Sequence, residues 1–194
     1  MRFHARLAAV FYLLTFVTGG IALSTSGDQI LANPTAFGVN FTCNLLAGAC
    51  YVAVTAIFYE LFKPVNRTVS LSAAFFSLVG VAVGAASCAF ELAARAAAKD
   101  MPALAVLFLK VQMQANDIGL VFFGFYCLLI GWLIYRSTFL PRAIGVLMVL
   151  AALGWLTFLA PAVARHLAPW VMLPGIVGEA ALTLWLLVFS VREA

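Results

Sequence analysis

Glu91 and Arg95 stand four residues apart in the stretch "SCAFELAARAAAKD", at the end of a long apolar run. On a helix, opposite charges at i and i+4 face each other across one turn and can pair. Asp117 and Glu179 are further acids set among apolar residues. The neighbours of Glu179, "GIVGEAALTL", include no base. An ionisable side chain inside a membrane segment is a functional candidate by default, because an unpaired charge at the bilayer centre costs about 2.5–3.5 kcal/mol on insertion scales. Such an acid can hold a proton or accept the donors of a ligand. Plainer roles stand beside these. Glu91–Arg95 can be an interfacial ion pair, Asp117 (or Asn116) can cap a helix, and Glu179 can link structurally to Arg95, Lys110 or an asparagine.

The elements that must carry these residues follow from composition. The 194 residues are 65% hydrophobic and 9% charged, with a mean hydropathy of +1.11. A soluble domain carries roughly 25% charged residues, so the solvent for most of this chain is lipid. The length suits one domain spanning 1–194. A secretory signal peptide is not expected, since the first apolar run lacks a small-residue cleavage site followed by a soluble chain. The four cysteines, Cys43, Cys50, Cys88 and Cys127, all lie in apolar runs and read as small buried hydrophobes.

A helix needs about 20 apolar residues to cross the hydrocarbon core. Six stretches qualify: Leu7–Leu23, Phe41–Phe62, Val69–Ala94, Asp117–Tyr135, Ala143–Ala160 and Trp170–Val191. Lys63-Pro64-Val65-Asn66-Arg67, Pro141, Pro161, Pro169 and Pro174 separate them. The fold class is therefore all-α, a multi-pass bundle of six transmembrane helices. Residues 101–116 are too apolar at their start for a plain loop and too polar at their end for a lipid-exposed span, so an extra helix is expected around 101–114. Asp100 followed by Pro102 starts a helix there, either a short extra helix at the outer surface or an outward extension of the fourth span. Lys and Arg set orientation. Arg2, Arg6, Lys63, Arg67, Arg136, Arg142 and Arg192 gather on one side, and Arg95, Lys99, Lys110 and Arg165 on the other. Both termini are expected in the cytoplasm, with the protein in the bacterial inner membrane.

Close packing and polar contacts, not lipid, draw membrane helices together, so small and polar residues mark the inward faces. Such stripes are Asn40, Asn44, Gly48, Tyr51, Thr55 and Tyr59 in the second span, and Ser77, Gly80, Gly84, Cys88, Glu91 and Arg95 in the third. The fourth begins with Lys110, Gln114 and Asp117 and continues to Gly124 and Gly131, and the sixth offers Gly175, Gly178 and Glu179. Gly80-x-x-x-Gly84 reads first as a close helix crossing. By depth, Glu91, Asp117, Glu179, Asn44 and Gln114 all fall in the outer half. This grouping predicts a polar pocket open to the outside, with Glu179, Asp117, Glu91, Arg95, Asn44 and Gln114 as its ligand- or proton-binding residues.

The segments "RLAAVFYLLTFVTGG", "LFKPVNR", "FFGFYCLLIGWLIYRSTFLPRAIGVLMVLAALGW" and "PGIVGEAALTLWLL" together resemble the family called domain of unknown function 4386, small bacterial membrane proteins. The resemblance covers nearly all of the chain, with "YRSTFLPRAIG" and "GEAALTLWLL" its more distinctive parts. It implies a six-helix membrane domain and carries no catalytic signature. Lys63-Pro64, Pro141-Arg142, Gly145 and Glu179 are its family-like positions.

Several functions are disfavoured by what the chain lacks. Both histidines, His4 and His166, lie in polar flanks, which argues against haem ligated within the helices and against a rhomboid-like serine protease. No H-E-x-x-H occurs, and Glu91–Arg95 matches only part of the E-E-x-x-x-R of membrane prenyl-protein proteases. No cofactor or metal is expected. The expected partners are the lipid bilayer, a small-molecule or lipid ligand and a second copy of the chain; nucleic acid is not among them. The leading expectation is a non-enzymatic protein that binds or moves a small molecule, a lipid or protons. The alternatives are an accessory protein acting through the Gly80–Gly84 face, and an intramembrane acid–base enzyme working on a lipid or quinone.

Overall fold

Helix starts are written into the loops. The computed structural model describes residues 2–191, so Arg192 lies outside the described residues. The first helix, α1, runs Arg2–Leu23. Ser26 then caps the short α2, Gly27–Ala32, in a capping box with Gln29. Asn33 accepts from the backbone amides of Thr35 and Ala36 to start α3, Pro34–Phe62, with a proline at the first helical position. Asn66 accepts from the Val69 amide and begins α4, Arg67–Ala97. Proline also opens α5, Pro102–Arg136, and precedes α6, Arg142–Leu156. A 3₁₀ turn, α7 (Pro161–Leu167), a second 3₁₀ turn and α8 (Leu173–Val188) complete the described chain.

Six of these segments are long and apolar enough to cross a membrane. They are the six expected, with altered ends. The fourth does not begin at Asp117: α5 is continuous for 35 residues. Residues 101–114 therefore form no separate outer helix but the first turns of α5, the extension rather than the surface helix. At 1.5 Å per residue α5 is about 50 Å long, well beyond a hydrocarbon core of about 30 Å. Asp117 is consequently mid-helix and caps nothing. The short helices outside the spans are α2 and α7. The last span is helical only to Val188.

The spanning helices form a closed ring in chain order, α1–α3–α4–α5–α6–α8, with α8 packed back on α1. Ser190 Oγ donates to the Arg2 carbonyl at 3.3 Å, so both ends of the described chain meet at one end of the bundle. Glycines set three of the contacts. A Cβ at Gly80 would stand 3.1 Å from the Gly119 carbonyl, one at Gly145 2.7 Å from the Gly131 carbonyl, and one at Gly178 2.7 Å from the Leu147 carbonyl. The α4–α5, α5–α6 and α6–α8 crossings thus bring backbones together as small residues in membrane helices allow. The ring's interior is filled by Tyr12, Phe58, Tyr126, Ile130, Met148, Trp155, Leu182 and Leu186.

Candidate functional site

Two polar clusters interrupt this apolar interior. The first lies at the end of the bundle opposite the chain termini. There Glu91 of α4 is only 2% exposed. Its Oε1 accepts from Asn44 Nδ2 of α3 at 3.5 Å. Asn44 also donates to Asn40 Oδ1 at 2.8 Å, and Asn40 Nδ2 donates to the Ala22 carbonyl at the end of α1 at 2.9 Å. Glu91 Oε2 is buried and has no hydrogen-bond partner. These groups line a cavity of about 340 Å³ together with Gln112, Asn116 and Asp117 of α5 and Gly27 and Ile30 of α2. Its lining contains no Lys, Arg or His.

Arg95 does not pair with Glu91, against the i, i+4 expectation. Its guanidinium donates instead to the Leu31 carbonyl in the last turn of α2, holding that short helix against the cavity. Among the described residues the ion pair that forms is Lys63 with Glu60. Gln114 is exposed and faces a separate cavity of about 430 Å³, which Asp117 and Arg165 also line. Asp117 thus stands in the wall between two cavities.

The second cluster surrounds Glu179 of α8. Tyr12 of α1 donates to Oε2 at 2.9 Å, and Tyr51 of α3 donates to the same oxygen at 3.4 Å. Trp155 Nε1 of α6 donates to Oε1 at 2.9 Å, and the Cys127 thiol of α5 lies 3.9 Å from Oε1. The Tyr12 and Tyr51 hydroxyls are themselves 2.9 Å apart. Side chains from four helices therefore converge on one carboxylate of a fifth, and among the described residues none of its partners is a cation. Tyr12 and Tyr51 sit midway along α1 and α3, so Glu179 lies at the middle of the bundle rather than near its outer end. The expected links from Glu179 to Arg95, Lys110 or an asparagine do not form.

The structure thus brings Glu91, Asp117 and Asn44 together, and sets Glu179 apart in its own chamber. Tyr51 connects the two. Besides bonding Glu179, it lines a cavity of about 160 Å³ with Asn44, Asn116 and Thr15. Sequence reasoning missed Tyr12, Trp155 and Cys127. Their only signal was a polar atom on a side chain inside an apolar run, which a core aromatic or a buried thiol shows equally well. Among the described residues no group of three or more His, Cys, Asp and Glu side chains could hold a metal ion.

Six apolar helices in a ring around an apolar interior with two polar clusters define a multi-pass α-helical membrane protein. The chain belongs to the family described as Domain of unknown function (DUF4386), whose profile matches residues 7–189. It is also similar to an "Uncharacterized protein" of Archaeoglobus fulgidus, at 26% identity over 105 residues. That alignment covers 54% of this chain and 56% of the relative, so it spans about half the length of each. No solved structure matches the chain.

Proposed function

We propose that the protein binds a small molecule bearing hydrogen-bond donors or a positive charge in the Glu91–Asp117 cavity, and serves as a receptor or carrier for it in the plasma membrane. The observation that carries this reading is Glu91 Oε2, buried in the cavity wall without a partner. A buried acceptor left unsatisfied costs about 1–3 kcal/mol, more when charged, and a donor supplied by a ligand removes that cost. The second carboxylate, Asp117, and the amides of Asn44, Gln112 and Asn116 add acceptors around the same space. Ligand pockets commonly run about 300–1,000 Å³, so a cavity of about 340 Å³ suits a small ligand.

The accessory-protein reading rested on a free glycine face of α4. Gly80 is packed inside the chain, against Gly119 and Phe123 of α5, which counts against that reading.

The test uses the whole protein purified in lipid nanodiscs. Thermal melts with a panel of primary amines, diamines and quaternary ammonium compounds should find at least one that stabilises the wild type. Saturation to a hundred times Kd is worth about 2.7 kcal/mol. The Glu91→Gln variant keeps the shape of the side chain and should lose that stabilisation. A panel that leaves the wild type unmoved, or a variant stabilised equally, overturns the proposal.

Orientation supports a receptor facing outward. The end of the bundle holding the termini carries Arg2, Arg6, Lys63, Arg67, Arg136 and Arg142, and the cavity end carries Arg95, Lys99, Lys110 and Arg165. The excess of basic residues at the terminal end favours a cytoplasmic position for both termini.

A further inference from the structure

Glu179 plays no part in the cavity just described, yet its surroundings are built with more care than any other polar site in the chain. A carboxylate at the middle of a membrane bundle is costly unless it is paired, protonated or well supplied with donors. Among the described residues every side chain bonded to it is uncharged when protonated: Tyr12 from α1, Tyr51 from α3, Cys127 from α5 and Trp155 from α6, with the Tyr126 ring of α5 against Tyr51. From α8 itself the Thr183 hydroxyl is turned to the Glu179 backbone carbonyl, at 2.8 Å. Among the described residues no Lys, Arg or His donates to the carboxylate. A buried acid that only ties helices together is satisfied by pairing with a base, whereas this one is supplied by neutral donors.

Tyr51 supplies the second half of the argument. Its hydroxyl lies 2.9 Å from the Tyr12 hydroxyl and 3.4 Å from Glu179 Oε2. A phenol hydroxyl rotates and can donate while it accepts. The Tyr51 side chain also borders the cavity of about 160 Å³, whose walls include Gly48, Gly80, Gly84 and Gly119. Those glycines keep side chains out of a space large enough for a few water molecules, each taking roughly 30 Å³ of liquid volume. Asn44 and Asn116 line both this cavity and the larger one at Glu91. Glu91 is thus bonded to Asn44 and Tyr51 to Glu179, and the step between Asn44 and Tyr51 is the cavity that both line. The Tyr126 hydroxyl, buried and without a partner, adds a spare donor beside the relay.

We propose that Glu179 is a mid-membrane proton-binding site that exchanges its proton with the Glu91 end of the bundle through Tyr51. In the loading step the Tyr51 oxygen accepts a proton from the cavity side as its own hydroxyl proton passes to Glu179 Oε2, directly or through Tyr12. Both phenols are neutral before and after, and the carboxylate becomes a carboxylic acid. Unloading reverses each transfer. The proposal needs no ligand and does not rest on the binding of one.

Infrared difference spectroscopy on the full chain in nanodiscs tests it. Between acid and alkaline buffer, the wild type should show a carboxylic-acid carbonyl band that the Glu179→Gln variant lacks. On transfer to deuterated buffer that band should shift, and the shift should slow by about tenfold or more in Tyr51→Phe, which loses one hydrogen-bonding hydroxyl and keeps the ring. Should Glu179→Gln fail to fold, the slowed exchange in Tyr51→Phe, set against wild-type exchange in a Tyr59→Phe control, carries the test alone. A Glu179 band that does not change with pH overturns the proposal. So does deuterium exchange equally fast in Tyr51→Phe. The amine melts are read on the same samples, so failure of the cavity reading and failure of this one are seen separately.

Discussion

The Glu179 carboxylate depends on a residue that bears no side chain to touch it. Gly175 lies one helical turn before it, under the Trp155 ring, and a Cβ there would overlap the indole. Gly175→Ala should push Trp155 away from the carboxylate and break the 2.9 Å bond it donates. Overpacking of this kind costs about 1–3 kcal/mol, and the melting temperature of the variant should fall accordingly. Trp155→Phe removes the same donor without the clash. Equal stability of Gly175→Ala and the wild type would show that the indole has another place to go. At this scale the sequence was partly legible. Glu179 announced itself as an acid with no base nearby, and Glu91, Asp117 and Asn44 were correctly grouped by depth. The grouping failed for Glu179 because depth was counted from the start of an apolar run. That run begins with a 3₁₀ turn at Trp170–Met172, so counting residues did not give height in the bundle. Arg95 was misjudged for a different reason. Spacing shows which groups can meet, but a free carbonyl at the end of a neighbouring short helix leaves no mark in the sequence.

Among the elements, α5 and its glycines decide how the others are placed. It meets α4 at Gly119 and α6 at Gly131, and Gly131 and Gly145 present their backbones to each other. Gly145→Val would drive a branched side chain into the Gly131 carbonyl and the Tyr135 amide, which would lie 2.7 and 2.9 Å from its Cβ. A loss of several °C in melting temperature and reduced accumulation in membranes are expected. A variant that accumulates and melts like the wild type would mean that the α5–α6 crossing tolerates separation. These crossings were readable, since Gly80, Gly124, Gly131 and Gly178 all stood in the predicted inward stripes. The length of α5 was readable only as an ambiguity. No proline interrupts residues 103–136, and the polar residues at 110–117 that looked like an edge of the membrane lie within an uninterrupted helix.

For the whole molecule, six spans put both ends of the described chain at one end of the bundle and the Glu91 cavity at the other. A fluorescent reporter that matures only in the cytoplasm, fused after Ala194, should light up, and a phosphatase active only outside should stay silent in the same position. The reverse pattern would turn the bundle over and open the Glu91 cavity to the cytoplasm. The number of spans and the helical class followed from hydropathy alone, because a backbone in lipid has few ways to satisfy its own hydrogen bonds. The ring order did not follow from it, since nothing in an apolar pattern says that the last helix returns to the first.

That return has a consequence for how the protein is made. Tyr12, Tyr51, Cys127 and Trp155 all precede α8 in the chain, and the carboxylate that gathers them arrives with the final span. During synthesis the five earlier spans enter the bilayer with hydroxyls, an indole and a thiol that have no acceptor in common. A chain that stops short of Glu179 therefore leaves those donors without their common acceptor, which only the final span supplies.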